Sequence, residues 1–149
     1  MLQTFEEAGC PTWVGGGWGV DALVGVQTRP HRDLDLMIDT NDLTKAQRAL
    51  SRIGYSPATD WLPVRLELVK PGCGWVDLHP AVFDDDGNGV QAGLDGETLE
   101  YPACDLTTGS IAGVNVHCLS ARLQVSFHSG YEPRAVDLHD LQQLRTVAH

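Results

Sequence analysis

Apolar residues recur along this chain in two rhythms, and the switches between them lay out its elements. Pro11-Thr12-Trp13-Val14 is a short apolar run entering Gly15-Gly16-Gly17, beyond which Trp18, Ala22, Leu23 and Val26 recur near helical spacing. The pattern predicts a strand, a glycine turn and a helix. Leu34-Asp35-Leu36-Met37-Ile38 predicts a second strand, after which Asn41 or Asp42 is placed to cap a helix carrying Leu43, Ala46, Leu50 and Ile53, with Gly54 ending it. Period two returns in Val64-Arg65-Leu66-Glu67-Leu68-Val69 and in Trp75-Val76-Asp77-Leu78-His79. The turn Pro71-Gly72-Cys73-Gly74 joins them as an antiparallel hairpin. Two helices follow, one near Leu119 to Phe127 and one starting at Pro133, with Leu138, Leu141 and Leu144 facing inward. The sum is an α+β fold, a small mixed sheet flanked by helices.

The only conspicuous shift in composition is the turn-rich stretch from Asp84 to Gly96, with no repeat or low-complexity tract, so residues 1–149 are expected to form one domain that includes the C-terminal helices from about residue 119. With 149 residues, 42% of them apolar, the chain can bury a real core without a metal or disulfide staple. Cys10, Cys73, Cys104 and Cys118 have neither zinc-site nor disulfide-framework spacing and are expected to be reduced thiols, mostly buried. Twenty Asp and Glu against ten Lys and Arg, a net charge of −10, exclude a nucleic-acid binder that tracks phosphates. No run approaches the roughly 20 apolar residues of a membrane span, and the N-terminus lacks signal-peptide character. A cytoplasmic location is expected, with no membrane partner.

Chemistry concentrates at Asp33-Leu34-Asp35. Side chains two apart on a strand share a face, so the two carboxylates converge while Leu34 points away. Like charges held that close are costly unless a divalent cation neutralises them, and magnesium suits an all-oxygen donor set. Asp77, at the same phase of a neighbouring strand, is the candidate third carboxylate. Gly16 and Gly17 open a helix whose free N–H groups and positive dipole end suit phosphate oxygens. A glycine turn alone reads better as a tight connection without ligand; the acids nearby tip it toward phosphate. Arg29, just before them, is a candidate triphosphate contact.

The runs Trp13-Val14-Gly15-Gly16-Gly17-Trp18-Gly19-Val20-Asp21-Ala22-Leu23 and Gln27-Thr28-Arg29-Pro30-His31-Arg32-Asp33-Leu34-Asp35-Leu36 closely resemble the aminoglycoside and lincosamide nucleotidyltransferases, within the DNA polymerase β-like nucleotidyltransferase superfamily. The likeness continues through Trp75-Val76-Asp77-Leu78-His79-Pro80, Gly109-Ser110-Ile111-Ala112-Gly113, Cys118-Leu119-Ser120 and Phe127-His128-Ser129-Gly130-Tyr131, with Asp137 and Asp140. It implies the polymerase β-like fold and a magnesium site of Asp33 and Asp35, with Asp77 as third ligand, base or both. A nucleotide-binding stretch of Gly16, Gly17 and Trp18 is also implied, Trp18 standing where the wider superfamily often has a phosphate-contacting serine. The implied reaction moves a nucleoside monophosphate from a nucleoside triphosphate, with ATP the expected donor, to a hydroxyl of a small molecule such as an aminoglycoside or lincosamide antibiotic. A homodimer is left open.

Other signals compete. A catalytically inactive nucleotide-binding module of the same fold is the alternative, against which all three acids argue. Gly17-Trp18-Gly19-Val20-Asp21-Ala22 also satisfies the dinucleotide fingerprint, with Asp39 near the ribose-acid distance, but a central parallel strand should not carry Asp33 and Asp35. Asp84, Asp86, Asn88 and Asp95 imitate a calcium loop without its flanking helices and read better as a solvated acidic turn. His79 shares Asp77's face as a substrate contact or a hydrogen-bonded strand residue; Glu67 faces the site or solvent; Arg32, like Arg29, could meet the triphosphate or face solvent, and Asp21 is expected in solvent. A rim of Asp84, Asp85, Asp86, Asp95 and Glu97 would steer a polycationic acceptor.

Overall fold

Strand alternation decides which face of the sheet is dry. In the computed structural model, which describes residues 1–129 and 131–147, β2 (Asp33–Asp39) turns Leu34, Leu36 and Ile38 to one face and Asp33, Asp35 and Met37 to the other. β5 (Gly74–Phe83) lies parallel to it with Asp35 beside Asp77, so Val76 and Leu78 join Leu36 while His79 and Ala81 join Met37. β4 (Arg65–Lys70) is antiparallel to β5, as the hairpin pattern predicts, and adds Leu66 and Leu68 to the dry face. β1 (Thr12–Gly15) runs antiparallel to β2, placing Gly15 opposite Asp35. That return excludes a dinucleotide-binding crossover, which needs the two strands parallel.

Among the described residues the sheet has nine strands. β3 (Ser56–Trp61), β4, β5, β2, β1, β9 (Val114–Leu119) and β8 (Leu106–Ile111) follow one another across it, while β6 (Gly89–Ala92) pairs with the end of β5 and with β7 (Thr98–Tyr101). The sheet is thus wider than the hydrophobic pattern marks. On its dry face α1 (Leu2–Glu7) inserts Phe5, α2 (Gly16–Val24) contributes Ala22, and α3 (Leu43–Arg52) contributes Ala46 and Leu50. The opposite face has a smaller cluster, Met37, Ala81, Tyr101, Leu119 and Leu123, built against α4 (Ala121–Phe127). The Ser120 hydroxyl oxygen caps α4 by accepting the Leu123 N–H at 3.1 Å, satisfying one of the unpaired donors of the first turn.

Several details differ from expectation. α2 stops at Val24 because Gly25 adopts φ +93°, which leaves Val26 outside the helix and exposed. Neither Asn41 nor Asp42 caps α3 with its side chain; the Asp39 carboxylate instead accepts the Asn41 N–H at 2.9 Å in the 3-10 turn before it. Cys10 and Cys118 are buried, but Cys73 and Cys104 are exposed. In the turn between β5 and β6 the Asp84 carboxylate accepts the N–H groups of Asp86 and Asn88. Gly130 lies outside the described residues. No described helix is long and apolar enough to cross a membrane.

The last helix, α5 (Ala135–Val147), packs on α2 and is the largest departure. Its buried residues are Asp137, Asp140 and Leu144, whereas Leu138 is 56% exposed. Leu144→Ala should therefore cost about 2–5 kcal/mol in urea unfolding, and Leu138→Ala less than about 0.5 kcal/mol. Equal losses at the two positions would contradict this packing.

Candidate active site

Register assembles an acid cluster on the open face of the sheet. Donor atoms of Asp35, Asp77 and His79 lie within 4.8 Å of one another, and so do those of Asp33, Glu67 and Asp77. Asp77 belongs to both sets. Glu67 on β4, paired directly with Asp77 of β5, is buried and accepts the Thr59 hydroxyl at 3.2 Å, so it faces the site.

Two arginines offset the negative charge, each laid on a tryptophan. Arg65 donates to Asp77 Oδ2 with its guanidinium 4.7 Å from the Trp61 ring centre. Arg32 reaches Asp33 and Glu67 at 3.4 Å each and lies 4.4 Å over Trp75. The compensation is incomplete. Burial, reinforced by the Asp35 charge, holds Asp33 above the ordinary carboxylate range; burial raises Asp77 too, with Asp35 adding to it while His79 and Arg65 oppose it. Asp77 Oδ1 is buried without a hydrogen-bond partner among the described residues. Hard oxygens, uncompensated charge and an orphaned carboxylate oxygen together fit a divalent cation.

His79 is fixed by a chain that the hydrophobic pattern does not reveal. Tyr101 donates its hydroxyl to Gln91 Oε1, and Gln91 Nε2 gives one N–H to the Val64 carbonyl at 2.7 Å and faces His79 Nδ1 at 3.3 Å. With Nδ1 accepting, Nε2–H is the donor to Asp35 at 3.1 Å. Burial works against a charged imidazole here, but the hydrogen bond and charge of Asp35, with Asp77, raise its pKa overall.

The glycine turn meets this cluster from β1. Gly16 has φ +58°, and a Cβ there would land on the Asp35 carboxylate, so only glycine lets the start of α2 touch the acid strand. At Gly17 a Cβ would strike His31 and Arg29. Trp18 packs on the dry-face core and meets the His31 ring at a tilt, with ring centres 4.6 Å apart. Arg29 is held by Asp140, which raises its pKa further. Asp21 is not solvated as expected: it is buried, accepts Thr28 Oγ1–H at 2.6 Å and pairs with His31 at 2.5 Å.

Beside Gly16 and Asp35 a cavity of about 230 Å³ opens, walled by Met37, Tyr101, Leu119 and Phe127. A larger cavity of about 360 Å³ under α1, lined by Glu6, Cys10 and Asn115, contains none of the cluster's acids.

Strand-borne acids thus lie under a glycine turn, and the model of the aminoglycoside-2''-adenylyltransferase family matches residues 1–144. The chain belongs to this family. A lincosamide resistance protein of Staphylococcus haemolyticus is 34% identical over 147 residues, 99% of this chain and 91% of that protein. The solved structure of the lincosamide antibiotic adenylyltransferase LnuA, lincomycin-bound, superposes with a TM-score of 0.89 at 34% identity, covering 99% of this chain and 93% of that one. A 2''-aminoglycoside nucleotidyltransferase of Klebsiella pneumoniae is 29% identical over 120 residues, 80% of this chain, which spans only 64% of that enzyme. The protein is an antibiotic-modifying type of nucleotidyltransferase on a mixed α+β fold.

The raised Asp33 carboxyl has a thermodynamic signature in this nucleotidyltransferase. A carboxyl whose folded pKa exceeds its unfolded value stabilises the fold at low pH and loses that contribution as pH rises through the folded value. Asp33→Asn should therefore raise the melting temperature of metal-free protein at pH 7, with the gain vanishing as pH falls into the carboxylate range. Thermal unfolding across pH, with chelator present, checks this; a lowered melting temperature at pH 7 would contradict the repulsion.

Proposed function

We propose that this enzyme transfers a nucleoside monophosphate from a magnesium-bound nucleoside triphosphate, ATP by preference, to a hydroxyl of a lincosamide antibiotic. The observation that supports the reading is the alignment of Asp35 with Asp77 beneath Gly16, two carboxylates against a helix start, which is what a metal-bound triphosphate would need. Asp33, Asp35 and Asp77 would hold the cation, which when bound supplies charge neutralisation at the α-phosphate and the leaving pyrophosphate.

The chain's own groups do the rest. N–H groups at Gly16 and Gly17 bind phosphate oxygens, and Arg29 adds a cation beside them. The acceptor oxygen forms a bond to the α-phosphorus as the bond to the bridging oxygen breaks, and pyrophosphate leaves. Asp77, whose Oδ1 is unpartnered, takes the hydroxyl proton or holds the metal through that oxygen. Trp18, packed beneath the turn, supports the loop from His31.

Acceptor choice follows from walls and length. The cavity beside Asp35 is bounded by Met37, Tyr101, Leu119 and Phe127, and Asp84, Asp85, Asp86, Asp95 and Glu97 do not line it. Those walls suit an acceptor with few charges better than a polycation. The match over 91% of a lincosamide resistance protein, against 64% of an aminoglycoside enzyme, supports the same choice.

Incubation with magnesium, ATP and either lincomycin or tobramycin, followed by mass spectrometry, tests it. A nucleotide-sized increment on lincomycin is expected; modification of tobramycin alone would reassign the acceptor, and modification of neither would remove the proposed reaction. Asp35→Asn should reduce transfer at least about a hundredfold while leaving the fold intact, since it removes metal-binding charge at constant volume. For Asp77→Asn, single-turnover rates set beside nucleotide titrations separate the roles. Loss of a base slows the chemical step alone, whereas loss of a ligand weakens docking as well.

A further inference from the structure

Helix α5 turns an acidic face toward the loop that leads into the acid strand. Asp140, buried, accepts Arg29 Nε–H at 2.9 Å and Nη2–H at 2.8 Å, while Arg29 Nη1 donates to the Pro30 carbonyl at 3.0 Å. Its neighbour His139 meets Thr28 Oγ1 at 2.8 Å, and Thr28 in turn donates to Asp21. Two adjacent residues of α5 thus fix the segment that runs from Thr28 into Asp33.

The guanidinium they hold stands over the start of α2. A Cβ on Gly17 would lie 2.5 Å from Arg29 Nη2 and would also strike His31 Nδ1, a nitrogen with no hydrogen-bond partner among the described residues on a side chain only 2% exposed. Of the five N–H donors of Arg29, Asp140 and Pro30 take three, which leaves one on each Nη. A pair of N–H groups on the outer edge of a side-on arginine matches two phosphate oxygens, a fit a lysine cannot reproduce.

We infer that Asp140 is a positioning residue for the nucleotide: by gripping one edge of Arg29 it presents the other to the outer phosphates, so that the enzyme distinguishes a triphosphate from a monophosphate. This rests on the reading that the phosphates dock at Gly16 and Gly17.

Calorimetric titration of the whole protein with magnesium and either α,β-methylene-ATP or AMP tests it. Asp140→Asn should weaken the triphosphate analogue about tenfold, the worth of one charge-assisted hydrogen bond, and AMP by less than about twofold. Asp140→Glu should recover part of the loss. Arg29→Gln should show the same selective loss, and the double variant should be no weaker than Arg29→Gln alone, because the two residues form one interaction. Equal weakening of both ligands by Asp140→Asn, or additive losses, would overturn the assignment. Should Asp140→Asn not fold, Arg29→Lys decides: it keeps the charge but not the paired edge, and triphosphate binding like the wild type's would overturn the assignment. Wild-type protein that binds AMP as tightly as the analogue would instead refute the docking site at Gly16 and Gly17.

Discussion

Parallel pairing of β2 with β5 sets two carboxylates side by side, and the open face of the sheet is arranged around that repulsion. In bulk water two such charges at 4 Å cost about 1 kcal/mol, but near a protein surface the figure is about fourfold larger. Asp35 and Asp77 cannot separate, because their positions belong to a ladder that continues on both sides of them. Arg65, Arg32 and the imidazole of His79 are the local answer, and none removes the problem. A sheet that merely needed to be stable would not place acids at these positions. Their burden is characteristic of a site shaped for a cation and its ligand.

The glycine turn proposed to bind the nucleotide is joined to this cluster by contact, without a side chain intervening. Gly16 lies against the Asp35 carboxylate, and Gly17 lies under Arg29 and His31. Backbone therefore sets the distance from the helix start to the acids, with no rotamer freedom to blur it. The same close fit explains why α5 turns Asp140 inward: the loop it covers is held by Arg29, whose buried edge needs an acceptor.

Alternation made the catalytic face readable. Leu34, Leu36 and Ile38 against Asp33 and Asp35, and Val76 and Leu78 against Asp77 and His79, announce two strands with acids on one side. What escaped is whatever depends on partners far along the chain. The grip of Gln91 on His79 requires knowing that β6 folds back beside β5, and nothing in Gly89–Ala92 says so. Leucine spacing points Leu138 inward, whereas charge satisfaction turns the helix toward Asp137 and Asp140. Asp21 looked solvated for the same reason, its partners His31 and Thr28 lying beyond the helix that carries it. β8 and β9 escaped because Cys118 and Leu119 alone among their residues are buried, which erases the contrast that alternation needs.

The stacking of guanidinium on indole has an optical consequence. Arg65 lies on Trp61 and Arg32 on Trp75, and each arginine also touches an acid of the cluster. Any cation that takes over those carboxylates loosens the arginines from them, and each ring then sees a different local field. The two indoles stand on separate strands, Trp61 on β3 and Trp75 on β5, so each senses its own side of the cluster. The molecule carries its own fluorophores at the place where its charge is rearranged, and filling of the site is legible as emission colour without a label.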